Sequence, residues 1–198
     1  AVLICPVDLT DDTALARLVS RIDIESLDVL VHSAGMEAPG AVDKITPTRW
    51  RAVLNLNLVA TAYLTSLLLP ALREARGLTV FINSGAGVSP RSGNALYSAS
   101  KAGLKSLADT LRQEEAGKVR VTSLHPGRTD TDMLAGDDGM PKMAADEVAK
   151  AAKKAADACE VPPPPEQNPP PSQNPSTTPS SEPSSSPSSQ PSSDPSST

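Results

Sequence analysis

Residues 78–101 read LTVFINSGAGVSPRSGNALYSASK, and the order of elements within them decides the fold. Leu78–Asn83 is a short apolar run that reads as a strand. A loop with three glycines follows, and a helix is predicted from about Ala95 to Glu115. The same order repeats on either side. Downstream, Val119–Leu124 is a strand closed by His125-Pro126-Gly127, and a weaker Ala/Lys helix runs from about Ala144 to Ala158. Upstream, Thr46-Pro47 is a cap followed by proline in the first turn, opening a long apolar helix over Thr48–Arg76. Before it lies a strand, Leu27–His32, ending in the small-residue turn Ser33-Ala34-Gly35. Ala1–Val7 reads as a further buried strand ending at Asp8. Thr10 is predicted to cap the helix after it, with Asp11 and Asp12 in the first turn, where the helix dipole favours them.

Strands alternating with helices imply right-handed crossovers and a parallel sheet, an α/β fold. In such sheets the ligand site lies beyond the carboxyl ends of the strands. Asp8, Ser33–Gly35, Ser84 and Pro126-Gly127 all sit there, just past a strand's end.

Composition divides the chain into an α/β domain over residues 1–158 and a tail over 159–198. From Val161 onward almost every residue is Pro, Ser, Thr, Asn, Gln or acidic, which leaves too little apolar surface to offset ordering, so disorder is expected. Pro179, Pro183, Pro187, Pro191 and Pro195 each precede a Ser-Ser pair, a repeat that reads as a flexible, partly polyproline II spacer. The functional alternative is a stalk that accepts glycans or phosphate. A net charge of −5 without a basic stripe argues against nucleic acid or an acidic membrane surface as partner. Cys5 and Cys159 lie far apart and point to a reducing compartment, the cytoplasm. No stretch reads as apolar enough for long enough to span a bilayer, and no signal peptide opens the chain.

The chemistry centres on Tyr97 and Lys101. A spacing of four puts both on one helical face, a turn apart. A nearby cation is expected to lower the phenol's pKa from about 10, so that the pair can serve as acid or base. Ser84, thirteen residues before Tyr97, is brought to the same sheet edge by the connection between strand and helix. Its hydroxyl can donate to a substrate carbonyl there. Arg91 and Asn94 read as exposed loop residues, His32 and His125 as structural, and Asp130 and Asp132 as surface charges at a helix start.

In these motifs the chain resembles the short-chain dehydrogenase/reductase family. Asp8-Leu9-Thr-Asp11 is similar to the segment after the family's third strand, whose aspartate contacts adenine. His32-Ser33-Ala34-Gly35 resembles the Asn-Asn-Ala-Gly element that lies against the cofactor, and Asn57 resembles the helical asparagine that holds a water in the proton relay. Ser84, Tyr97 and Lys101 match the remaining catalytic residues. Pro126, Gly127, Thr129 and Thr131 fall in the element that clasps the nicotinamide end. The resemblance implies a Rossmann-like, doubly wound parallel sheet and hydride transfer between NAD or NADP and a small carbonyl or alcohol. It gives Tyr97 as acid/base, Lys101 as ribose ligand, Ser84 as carbonyl donor and Asn57 as anchor of the water chain. It also implies a homo-oligomer where the full domain is present.

The chain departs from that family at both ends. Nothing in it matches the Gly-x-x-x-Gly-x-Gly turn that cradles the pyrophosphate, and Ala1 begins at what looks like the third strand. The first two strands are expected to be absent, along with the residue that selects between the two cofactors, and the last strand is replaced by the tail. Leu27–His32 should then expose an unpaired edge. The alternative expectation is a catalytically inactive fragment that serves as an interaction module or does not fold stably.

Overall fold

The computed structural model describes residues 2–130 and 142–158. Thr131, the segment after Met133, the expected place of a last strand and the Pro/Ser-rich run from 159 lie outside the described residues. A three-stranded parallel sheet forms the centre, with β1 (Val29–His32), β2 (Leu78–Ile82) and β3 (Arg120–Leu124) in that spatial order. The register pairs Val29 with Leu78 and Leu78 with Arg120. Leu78, Thr79, Val80 and Phe81 are all buried. Successive side chains point to opposite faces of a sheet, so both faces of β2 are covered, as in a doubly wound fold.

Helix α1 (Asp12–Ile22) precedes β1. Its cap is Asp11, whose side chain accepts from Ala14 N, whereas Thr10 donates its amide and hydroxyl to Asp8 Oδ1. That corrects the expected cap by one residue. Between β1 and β2 the helix opens as expected, with Thr46 capping Arg49 N and Pro47 in the first turn. It is not uniform, however: α2 (Pro47–Leu54) passes through a π-helical turn, Asn55–Ala60, into α3 (Thr61–Ala75). Such widened turns interrupt α-helices chiefly at functional positions. Pro47–Ala75 is also, by length and composition, apolar enough to cross a membrane, contrary to the reading of the sequence. In this fold α3 packs on α1 and β1. Helix α4 (Ala95–Glu114) joins β2 to β3, and Leu104, Ala108 and Leu111 pack with Phe81 and Val121 as its core contact.

Three further elements differ from expectation. Residues 2–8 are not a strand, and Val2, Leu3 and Ile4 are 92%, 75% and 81% exposed. An apolar run becomes a strand only when a neighbour satisfies its backbone, and no described strand lies beside this one. β1 starts at Val29 because Leu27 N is taken by Ala71 O. Asp130 does not start a helix. Thr129–Asp130 forms β4, paired with β5 (Met143–Ala144), and α5 (Ala145–Asp157) follows, packed on β2 and β3.

His32, at the end of β1, is buried and stacked on Phe81 with ring centroids 5.0 Å apart. Thr65 Oγ1 gives its one proton to Thr61 O, so the 2.9 Å bond to His32 runs from Nε2–H to Oγ1. Burial pushes the imidazole down to about 4. Its folded value lies below its unfolded one, so the unfolded chain alone binds the proton as pH falls from about 6.5 to about 4, and stability is lost over that window. The expected loss is about 3 kcal/mol. Urea unfolding at neutral pH and near the lower limit, compared with His32→Gln, should show that much less pH dependence in the variant.

Candidate active site

The carboxyl ends of the three strands open into one cleft of about 870 Å³. Ser84 leaves β2 with φ −161°, and its Oγ accepts from Ala86 N in a short 3-10 turn, Gly85–Gly87. Two contacts fix that turn. Gly85 N donates to Pro126 O at 2.9 Å, tying it to the exit of β3. Gly87 lies flush on the second turn of α4, where a Cβ would come within 2.7 Å of the Lys101 carbonyl oxygen. His125 joins the same junction, with Nδ1 3.3 Å from Ser84 O and Nε2 3.0 Å from Ser123 Oγ. Ser84 is therefore held by β3 on one side and α4 on the other.

Lys101 is buried, and its ammonium donates to Ile82 O at 2.9 Å, just where β2 ends. The ammonium stands 5.7 Å from the centroid of the Tyr97 ring. Burial lowers Lys101 to about 8. The Tyr97 phenol shifts the other way from the expectation for a lysine neighbour. Burial raises it first; the Ser84 hydroxyl, a donor to the phenol oxygen, pulls it down; the Glu37 carboxylate pushes it up. Desolvation penalises the charged form of both groups and is the leading cause of both shifts.

Asn57 sits inside the π turn and is buried. Its Oδ1 accepts from Met36 N at 2.8 Å, and its Nδ2 donates to Met36 O at 2.9 Å and to Ser100 Oγ at 3.0 Å. Ser100 Oγ in turn donates to Tyr97 O at 2.8 Å. Both amide protons are engaged by protein, so the side chain is a brace linking the loop after β1 to α4. The anchoring of a water, expected of Asn57, would fall to its remaining acceptor capacity.

Among the residues singled out from sequence, Ser33, Gly35, Ser84, Tyr97, Lys101, Pro126, Gly127 and Thr129 line the cleft. Ala34 and the pair Asp8 and Leu9 do not, and Thr131 is not among the described residues. Asp8 is exposed, and its hydrogen bonds from Thr10 hold its carboxyl below the usual range. Arg91 is exposed, as expected of a loop residue, yet it lines the cleft with half-buried Asn94 and with His125. Sequence reasoning did not pick out Glu37 or Ser100. Position was their available signal: Glu37 follows Gly35 by two in the same loop, and Ser100 lies three after Tyr97 on its helix.

A family model described as short chain dehydrogenase matches residues 1–141. An uncharacterized NAD-dependent oxidoreductase of Mycobacterium tuberculosis is 37% identical over 140 residues, which cover 67% of this chain and 50% of that protein. The 2,3-dihydro-2,3-dihydroxybenzoate dehydrogenase of Escherichia coli is 37% identical over 130 residues, 64% of this chain and 52% of the relative. The chain spans about half the length of the curated relatives it matches. Among solved structures, ElxO with NADP bound aligns with a TM-score of 0.71 at 23% identity, covering 78% of this chain and 71% of that one. An alcohol dehydrogenase from the archaeon Thermococcus sibiricus, complexed with 5-hydroxy-NADP, aligns at 0.68 and 20% identity, covering 75% and 65%. These likenesses in structure show the fold.

Removing the Asn57 brace should be costly. Asn57→Ala leaves Met36 N–H and C=O without their partners, and a loss of about 3 kcal/mol is expected in urea unfolding. Ser100→Ala removes one link of the chain and should cost about 1 kcal/mol in the same measurement.

Proposed function

This chain belongs to the short-chain dehydrogenase family, and from that premise we propose that the protein is an NAD(P)-dependent oxidoreductase interconverting a small carbonyl compound and its alcohol. The observation that carries the reading is the convergence of Tyr97, Ser84 and buried Lys101 on one wall of the cleft at the carboxyl ends of parallel strands. Two hydroxyls face the same space there, and a cation lies behind one of them.

The cleft suits the nicotinamide and ribose end of a dinucleotide. Gly35 borders it without a side chain, and a Cβ there would stand 3.3 Å from Asn57 Oδ1 and 3.8 Å from Lys101 Nζ. At Gly127 nothing lies within 4 Å of the corresponding position. Ser33, Gly35, Tyr97, Lys101, Pro126, Gly127 and Thr129 would hold that end. Thr131 belongs to the same clasping element by resemblance, Ala34 to the element against the cofactor, and Asp8 and Leu9 to the adenine end. NAD and NADP both fit this reading. When bound, the cofactor supplies or accepts the hydride, which no protein side chain can do.

The protein's own part is orientation and proton supply. Tyr97 O–H and Ser84 O–H receive the carbonyl oxygen, and Tyr97 delivers the proton during reduction or takes it during oxidation. The raised phenol keeps its proton at neutral pH, which suits donation. Lys101, steered by Ile82 O, binds ribose hydroxyls with its remaining protons and places positive charge behind the phenol. Asn57 is a positioning residue that holds the loop after β1 against α4. The same reading places the protein in the cytoplasm, acting on small molecules without nucleic-acid or membrane partners. It also implies a homo-oligomer where the full domain is present, a role for which half-exposed Val59 on the long helix is suited.

A second reading rests on exposed Val2, Leu3, Ile4 and Val31. Exposed apolar side chains, Val31 on the edge strand among them, suit an interaction module without turnover. Absorbance of reduced nicotinamide, followed with a panel of small ketones and aldehydes, separates the two. Turnover that Tyr97→Phe lowers by about a hundredfold or more, with an unchanged circular-dichroism spectrum, supports the oxidoreductase. Turnover that survives Tyr97→Phe sinks the assigned acid/base, and none with either cofactor favours the module.

A further inference from the structure

Glu37 stands on the wall of the cleft shared with Tyr97, and its segment is pinned from four directions. Met36 is bonded at both backbone atoms by Asn57. Arg49 Nη2 donates to Glu37 O at 3.0 Å. Ala38 is buried with Val53 and Leu96, under Met36, Ile45, Trp50 and Leu54. Gly40 N donates to Gly93 O at 2.8 Å, and Gly40 forms a parallel bridge with Asn94, three residues before Tyr97. The backbone that carries Glu37 is thus fixed to α2, to the π turn and to the loop that opens α4.

The carboxylate itself is free. Among the described residues no side chain hydrogen-bonds or ion-pairs with it, since Arg49 reaches only the backbone oxygen. A half-buried, unpaired carboxylate held on a rigid wall of a ligand cleft keeps its full capacity to accept from a ligand. Its field reaches the phenol, where it is the charged side chain that registers. The cationic residues of the lining are engaged or placed elsewhere. Lys101 donates to Ile82 O behind the phenol, Arg91 stands exposed in the loop before α4, and Arg128, half-buried ahead of β4, is already engaged.

We infer that Glu37 selects the substrate, its carboxylate receiving a cationic or hydrogen-bond-donating group borne next to the reacting carbonyl or alcohol and repelling a carboxylate in that position. The inference rests on the oxidoreductase reading for which group reacts, and adds which neighbour that group carries. It names a class: small amino- or hydroxy-substituted ketones and alcohols, in preference to keto and hydroxy acids.

Three alcohols of one skeleton test it: isopropanolamine, propylene glycol and lactate, bearing an ammonium, a hydroxyl and a carboxylate beside the same secondary alcohol. Their binding to the full chain with oxidised cofactor present, at neutral pH, is read by saturation-transfer NMR, independently of turnover. Isopropanolamine should bind at least about tenfold more tightly than lactate, with propylene glycol between them. Glu37→Gln should reduce that ratio about tenfold, and Glu37→Asp should preserve most of it. An unchanged ratio in Glu37→Gln, a native preference for lactate, or binding by none of the three overturns the inference. Cofactor reduction is followed in parallel. If the binding ratio depends on Glu37 but no alcohol is oxidised, selection stands and the oxidoreductase reading falls.

Discussion

The pairing of β2 between β1 and β3 is the constraint from which the site follows. Parallel strands in one register end at one edge, so the loops after His32, Ile82 and Leu124 must leave side by side. The last carbonyl of β2, at Ile82, steers Lys101. The next residues turn into Ser84 and the glycine step that lies flush on α4. Close approach at Gly77 sets the other end of the strand, where a Cβ would come within 2.3 Å of Leu27 O. A side chain there would push β2 away from β1 and carry the site with it.

Around that frame, polar groups are buried as struts as well as for chemistry. Asn57 satisfies both backbone atoms of Met36 and reaches Ser100, which closes back on Tyr97. A network whose members are all engaged rigidifies the parts it joins, because letting go of any one strands a buried donor or acceptor. Arg73 and Glu115 play a comparable part at the far end, closing α3 onto the end of α4 with a bidentate pair in which Glu115 is buried. Rigid support at both ends leaves the cleft wall with few ways to deform.

The electrostatics of the cleft are set by competition. Burial disfavours charge on both Lys101 and Tyr97, pulling the lysine to about 8 and lifting the phenol. Glu37 adds to the lift and Ser84 opposes it. A phenol poised by desolvation, a donor and a carboxylate responds to whichever of them a ligand engages.

Several features were legible from residues alone because they depend on short-range patterns. Thr46-Pro47 starts a helix wherever it lies, since a cap and a fixed φ are local properties. The runs at 29–32, 78–82 and 120–124 are strands, and Tyr97 and Lys101 share a helical face, for the same reason. Other features needed the fold. The apolar run at 2–7 reads as a strand but is none, because a strand exists only with a hydrogen-bonded neighbour. The π turn around Asn57 has no proline or glycine to announce it, and packing shapes it. Sequence placed Lys101 beside Tyr97 and suggested a lowered phenol, whereas burial sets the direction and only tertiary structure decides burial. The sequence by itself thus determined the order of the three central strands and the helices between them, the family, and which residues are candidates for the chemistry. Glu37 and Ser100 came into view only when chain segments far apart were brought to one sheet edge, because contact across sequence distance leaves no mark in local spacing.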